Sequence, residues 1–274
     1  MFKGVLFNMK RGIRKSMKKL GLVLGSGAAK GFAHIGVLKA LEENHIKADV
    51  ITGCSAGSII GAMYAAKHTS KHLLKIAKEL KKSDIIDLSF NIIRNKALLK
   101  SEKMENLLKK YLGEINIEDL PIPFGCISTD LVSGKIIEFT RGNLVTAVKA
   151  SSSMPPVFAP VCVDGMILVD GGLIMRTPVK LAKKLGAEVT VAIDVNADLT
   201  NCGEIKNIID VGLRSLDIMD HATERSSPHC KPNIIIKPDL KQVNAYKVEN
   251  QQFAYEQGYN ATLPYIEKIK ELLR

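Results

Sequence analysis

The chain predicts a single α/β domain: a mostly parallel sheet covered on both faces by helices, in a three-layer α/β/α arrangement. Three observations predict it. Short apolar runs alternate with stretches of helical periodicity of about 10–15 residues, the pattern of β-α-β units. Several of these runs break into glycine-bearing turns, where such sheets place their chemistry. The 274 residues are 46% hydrophobic and 24% charged with 21 Gly and 10 Pro, which excludes disordered, collagenous and coiled-coil classes and leaves enough chain to bury a core without disulfide or metal.

Leu20–Leu24 predicts a short buried strand that breaks into the loop Gly25-Ser26-Gly27-Ala28-Ala29-Lys30-Gly31. A helix follows to about Asn44, with Ile35, Leu38 and Leu41 on one face. Residues 50–52 form a second strand, ending in Gly53-Cys54-Ser55-Ala56-Gly57 and then a helix of small residues through about Lys67. Residues 71–112 are lysine-rich and helical, with Leu73, Ile76, Ala77 and Leu80 at i, i+3, i+4, i+7 spacing. Pro121 and Pro123 open a strand over 124–129, which pairs with 135–140 across Ser133-Gly134 as an antiparallel element at one side. A helix near 143–152, the pair Pro155-Pro156, a strand at 166–169 and the turn Asp170-Gly171-Gly172 come next. The last third predicts a helix from Val179, a strand at 188–194, a long helix over 205–225, a strand at 233–237 and a final helix from about Gly258.

The net charge is +11, but Lys3, Lys10, Arg11, Arg14, Lys15, Lys18 and Lys19 supply +7 of it, with no acid among residues 1–19. The rest carries no basic stripe interleaved with aromatics, and the lack of Trp and the 5% aromatics argue against a base-stacking platform for nucleic acid. Residues 1–19 are expected to be a disordered basic extension ahead of a domain over 20–274, with Met9 and Met17 as alternative starts. The segment lacks the apolar core of a signal peptide. Its functional reading is a peripheral contact with anionic lipid headgroups. Five scattered cysteines without C-x-x-C spacing argue for a reducing, cytoplasmic compartment and against a zinc site. No apolar run is long enough for a membrane span.

Three glycine turns carry the candidate chemistry. Gly53-Cys54-Ser55-Ala56-Gly57 fits G-x-S-x-G between a β-branched strand and a helix of small residues, the setting of a nucleophile elbow. The glycines relieve a strained turn, and the helix N-terminus favours a developing oxyanion. The plainer reading makes Ser55 a helix N-cap. The loop over residues 25–31 matches neither G-x-G-x-x-G nor a P-loop. It reads as an oxyanion hole through the N–H groups of Gly27 and Ala28, with Lys30 a fixed charge or a loop anchor. A phosphate cradle is the alternative. Asp170-Gly171-Gly172 is a common turn sequence, yet Ser55 needs a base. His34, His45, His68, His72, His221 and His229 all lie away from strand ends, whereas Asp170 sits at one.

Together these motifs resemble the patatin-like phospholipase family, its bacterial cytosolic branch in particular, over about residues 20–260. The resemblance assigns the loop Gly25, Gly27, Ala28, Lys30 and Gly31 to the oxyanion hole. It makes Ser55, between Gly53 and Gly57, the nucleophile, and Asp170, in the turn with Gly171 and Gly172, its proton acceptor. Asp119-Leu120-Pro121-Ile122-Pro123, Thr129-Asp130-Leu131 and the stretch from Ala150-Ser151-Ser152-Ser153-Met154 through Pro155-Pro156-Val157-Phe158 also fit. It implies a patatin-like fold and a Ser–Asp dyad without histidine, metal or cofactor. The expected substrate is a lipid or fatty-acyl ester, cleaved by way of an acyl-enzyme. Ala28 stands where many members have Gly, and Met175-Arg176 where Asn-Pro is usual. The lysine-rich stretch 71–112 reads as a lid or as a solvated helix packed on the sheet. Rival readings are an α/β-hydrolase with a Ser55–Asp170–His221 or His229 triad, a non-catalytic lipid- or protein-binding regulator, and a nucleotide-binding protein.

Overall fold

The computed structural model describes residues 17–80, 84, 102–198, 205–206, 208–226, 230–245 and 249–274. Eight strands form one sheet: β1 (Leu20–Leu24), β2 (Val50–Gly53), β3 (Phe124–Asp130), β4 (Ile136–Phe139), β5 (Val161–Val163), β6 (Met166–Asp170), β7 (Val189–Ile193) and β8 (Ile234–Ile236), in the order β5-β6-β3-β2-β1-β7-β8 with β4 paired to β3. Strands β3, β2, β1, β7 and β8 run parallel, while at one side β4 and β6 pair antiparallel with β3 and β5 pairs antiparallel with β6. The α/β class with a mostly parallel sheet stands as expected. The antiparallel part is larger than the single hairpin read from Ser133-Gly134. The extra hairpin strand β5 is three residues long and only partly buried, too short for an alternation signal.

The helices are α1 (Phe32–Glu43), α2 (Ala56–Ala65), α3 (Ser70–Glu79), α4 (Glu102–Leu112), α5 (Leu144–Ser151), α6 (Val179–Lys184), α7 (Ile208–Ser226), α8 (Gln251–Thr262) and α9 (Ile266–Leu273). On α1, Ile35, Leu38 and Leu41 are all buried, joining β1, β2 and β7 residues in the main core. Each such side chain contributes about 1.5–3 kcal/mol of burial. Leu73, Ile76 and Ala77 of α3 and Met104, Leu108 and Leu112 of α4 belong to the same core. Both ends of the stretch expected as a lid or packed helix are therefore packed into the core. Most of the residues between them, and the basic arm over 1–16, lie outside the described residues.

The last helical region begins earlier than expected. Helix α8 starts at Gln251, and Gly258 lies inside it at a crossing with α1: a Cβ on Gly258 would sit 1.9 Å from the Ala33 carbonyl oxygen, and one on Gly36 1.9 Å from that of Tyr255. Gly258 permits close helix packing rather than marking a boundary. The folded unit also begins before Leu20, because the Lys18 N–H donates to the Leu273 carbonyl at 2.9 Å and the Lys19 N–H to Glu188 at 3.0 Å.

Strand direction determines what meets at the C-terminal edge of the sheet. Gly53, the last residue of β2, pairs with Cys126 of β3, and Asp170, the last of β6, pairs with Ser128 two residues further along β3. Because β6 is antiparallel to β3, it runs back toward the end of β2 and delivers its final residue beside the turn that follows β2.

Candidate active site

Strand β2 is buried along its whole length and stops at Gly53, while α2 starts at Ala56. Ser55 in between has φ 52° and ψ −124°, a conformation that L-residues rarely adopt and that costs on the order of 1–3 kcal/mol. The surroundings hold it there. Its N–H donates to Oγ of Ser151 at 3.1 Å, and its carbonyl accepts from the hydroxyls of Ser58 at 2.7 Å and Ser152 at 3.2 Å. Ser55 stands at the N-cap position of α2 but makes no side-chain cap hydrogen bond to it.

The Asp170 side chain is wholly buried. Its Oδ1 accepts from the Gly172 N–H at 2.8 Å, with the Cys54 thiol 3.9 Å away. Burial lifts its pKa to about 6 against the opposing pull of Ser55, Gly172 and Cys54. The contact with the Ser55 hydroxyl is loose: it draws the pKa down, while Oδ2 has no partner that meets hydrogen-bond geometry. A buried carboxylate with a raised pKa beside a serine hydroxyl is a group able to take a proton near neutral pH.

The loop after β1 abuts the elbow: a Cβ on Gly31 would lie 2.6 Å from Cβ of Ala56. The Gly25 N–H donates to the Ile193 carbonyl at 3.0 Å and that of Ser26 to the Arg176 carbonyl at 3.1 Å. Those of Ala29 and Lys30 go to Ala245 and Gly27, each at 3.0 Å. The N–H groups of Gly27, Ala28 and Ala56 take part in no hydrogen bond among the described residues. Gly25 is thus a wall of the loop and not a donor to a ligand. Ala28 has φ 47°, the bend at which the chain turns into the short 3-10 turn Ala28–Gly31.

Lys30 is 2% exposed, and its Nζ donates to Oδ1 of Asn196 at 2.7 Å. Burial lowers its pKa, opposed by Asp217 and Asp194. Of the two sequence readings, loop anchor describes this placement. Arg176, where a departure from the family pattern stood, is buried too. Its Nη1 donates to the Asn196 carbonyl at 2.8 Å, and Nη2 lies 3.8 Å from Asp194. The departure therefore ties the loop after Asp170 to the end of β7. Met175 lines a separate apolar recess of about 420 Å³ with Ile127, Ile136 and Leu181. That recess reaches neither Ser55 nor Asp170.

His34 is buried, and its Nε2–H donates to the Gly25 carbonyl at 2.8 Å. Burial drives its pKa down to about 4, so it is a neutral prop under the loop after β1. His68 and His72 face each other, Nδ1 to Nδ1, at 3.0 Å away from the site. The side chains of His221 and His229 lie outside the described residues. Among the described residues no group of three or more His, Cys, Asp or Glu is placed to hold a metal ion.

Sequence reasoning missed the roles of three groups here. The serines of 151–153 were noted only as part of a matching stretch. Cys54 was noted only as the variable position of the elbow. Asn196 carried no signal at all, since a lone polar residue after a strand reads as loop.

A family profile described as patatin-like phospholipase matches residues 22–183. An uncharacterized NTE family protein of Mycobacterium tuberculosis is 37% identical over 181 residues, 66% of this chain and 50% of that protein. Patatin-like phospholipase domain-containing protein 6 of Homo sapiens and neuropathy target esterase sws of Drosophila melanogaster are each 33% identical over 197 residues, 68% of this chain and 14% of theirs. The chain thus spans half or less of the length of these relatives. The crystal structure of VipD from Legionella pneumophila superposes with a TM-score of 0.59 over 92% of this chain and 67% of that one, at 14% identity. That likeness is one of fold.

Proposed function

The chain belongs to the patatin-like phospholipase family, and from that premise we propose that it is a serine acyl-ester hydrolase acting on a lipid ester through Ser55 and Asp170. One observation carries the reading: a serine held at φ 52° in a strand–turn–helix elbow beside a buried carboxyl with a pKa of about 6. The names of the relatives, phospholipase and esterase, support the substrate class.

In this reading Asp170 accepts the Ser55 proton as Oγ attacks the ester carbonyl carbon. The carbonyl oxygen becomes an oxyanion, held by the N–H groups of Gly27 and Ala28 and by that of Ala56 at the positive end of α2. One such donor is worth ~3 kcal/mol of transition-state stabilisation. Collapse of the tetrahedral species breaks the ester bond, and protonated Asp170 gives its proton to the departing alcohol or lysophospholipid oxygen. Water then attacks the acyl-enzyme, again losing its proton to Asp170, and the fatty acid leaves as Ser55 regains its hydrogen.

Fluorophosphonate labelling and hydrolysis of p-nitrophenyl and lysophospholipid esters test the reading. Labelling is expected to vanish in Ser55→Ala, and Asp170→Asn to lower kcat by roughly 10²–10⁴-fold. Replacing His221 and His229 together is expected to leave the rate intact. Labelling that persists in Ser55→Ala removes the nucleophile, and loss of activity on replacing the two histidines restores the triad.

A further inference from the structure

The three consecutive serines at the end of α5 are buried and reach both members of the proposed dyad. Ser151 Oγ accepts the Ser55 N–H at 3.1 Å, Ser152 Oγ donates to the Ser55 carbonyl at 3.2 Å, and the Ser153 carbonyl accepts the Asp170 N–H at 3.0 Å. From this we infer that Ser151 is a positioning residue for the nucleophile, holding Ser55 in the conformation that aims its hydroxyl at Asp170. The inference rests on the reading of Ser55 as the nucleophile.

The two ends of the Ser55 main chain are not held alike. Its carbonyl is met by the hydroxyls of Ser58 and Ser152 and also by the N–H groups of Ser58 at 2.8 Å and Ile59 at 3.2 Å. Losing one of these leaves the others in place. The N–H has Ser151 Oγ as its one acceptor among the described residues. Without it, a buried amide is left unpaired in a turn already bent to φ 52°, and rotation of the peptide between Cys54 and Ser55 toward an ordinary φ relieves both problems at once. That rotation carries Oγ away from the carboxyl. The Ser152 hydroxyl shares its carbonyl with Ser58 and has no such consequence, although it is one residue away and also buried.

The test compares Ser55→Ala, Ser151→Ala, Ser151→Cys and Ser152→Ala by thermal melting, by kcat and KM on a soluble p-nitrophenyl ester, and by the rate of fluorophosphonate acylation. Ser151→Ala is expected to lower kcat and the acylation rate roughly 10- to 100-fold, as expected for a misplacement of about 1 Å, with KM changed less than about twofold. Ser151→Cys, which keeps the shape of the side chain with a slightly larger, weakly accepting atom, is expected to lose the rate as well. Ser152→Ala is expected to lose less than about threefold for a similar fall in melting temperature. Ser151→Ala acylating at the wild-type rate overturns the inference, as does Ser151→Cys with the full rate. So does a loss of rate that follows melting temperature alike in the Ser151 and Ser152 variants. Activity surviving in Ser55→Ala removes the nucleophile itself. An inactive Ser55→Ala beside a fully active Ser151→Ala removes only the role of Ser151.

Discussion

Lys30 ends on Asn196, its Nζ donating to Oδ1 at 2.7 Å with the lysine side chain buried. The pair spans from the loop after β1 to the loop after β7, where Asp194 and Arg176 join it. A buried ammonium in such a cluster is a structural brace, because removing it leaves Oδ1 of Asn196 without its donor and Arg176 as the nearest cation to Asp194. Lys30→Met is therefore expected to lower stability by about 2–4 kcal/mol and to speed hydrogen exchange at the bonded amides of Ser26 and Ala29, with kcat falling as the loop loosens. Denaturant melts and exchange rates check this. A variant of unchanged stability with a reduced kcat would instead make Lys30 a direct partner of the oxyanion.

Asp170 and His34 respond to acid in opposite senses. With a folded pKa of about 6 against an ordinary 3.8, Asp170 adds stability that is full below pH 4 and is lost as pH rises through 6. With a folded pKa of about 4 against 6.5, His34 adds stability that is full above pH 6.5 and is lost as pH falls toward 4. Each is worth up to about 3 kcal/mol, so the two offset each other across the window. Asp170→Asn is expected to be more stable than the parent at pH 8, to lose that advantage near pH 4, and to show the His34 dependence uncovered. Urea midpoints between pH 4 and 8 measure it. No stabilisation at pH 8 would mean that the Asp170 charge is not held at a cost.

In the proposed reaction the same carboxyl is expected to set the acidic limb of activity. In the free enzyme kcat/KM should rise with pH and inflect near 6, where Asp170 becomes a base. The Cys54 thiol, 3.9 Å from Oδ1, is one of the groups that favour the charged form. Cys54→Ser, with a stronger donor, should move the inflection down by roughly half a pH unit, and Cys54→Ala should move it up by a similar amount. Identical profiles in all three proteins would show that the thiol does not act on the base.

What was legible in the sequence follows from how local each signal is. β1, β2, the elbow and the loop after β1 are each specified within a few residues, by apolar runs ending in glycine. Ser55 and the turn of Asp170 could therefore be named without a structure. Their approach could not. It depends on β6 lying antiparallel to β3 so that Asp170 pairs with Ser128, and a pairing direction is a property of two distant segments. The contacts of Ser151, Cys54 and Asn196 were hidden for a related reason, since each is made with residues far away in the chain. Gly258 shows the converse error. Its local meaning is helix breaker, and only the crossing with α1 reveals it as a contact point.

The two glycines of α2 separate shape from composition. A Cβ on Gly57 would lie 2.1 Å from the Leu24 carbonyl oxygen and 2.7 Å from that of Gly25, and these are backbone atoms of the end of β1 and of the loop that follows it. The Gly57 N–H already holds the elbow closed on the Cys54 carbonyl at 2.9 Å, so the helix cannot back away without opening the turn. On Gly61, one turn later, a Cβ would meet only side chains, Ile51 at 3.1 Å and Phe124 at 3.2 Å, which can yield by a few tenths of an ångström. Gly57→Ala is expected to destabilise by roughly 3 kcal/mol or more and to abolish hydrolysis, while Gly61→Ala stays within about 1 kcal/mol, its overpacking offset by better helix propensity. Denaturant melts of the two variants side by side decide it. Equal stabilities would mean that the elbow and the loop after β1 are not in contact as described.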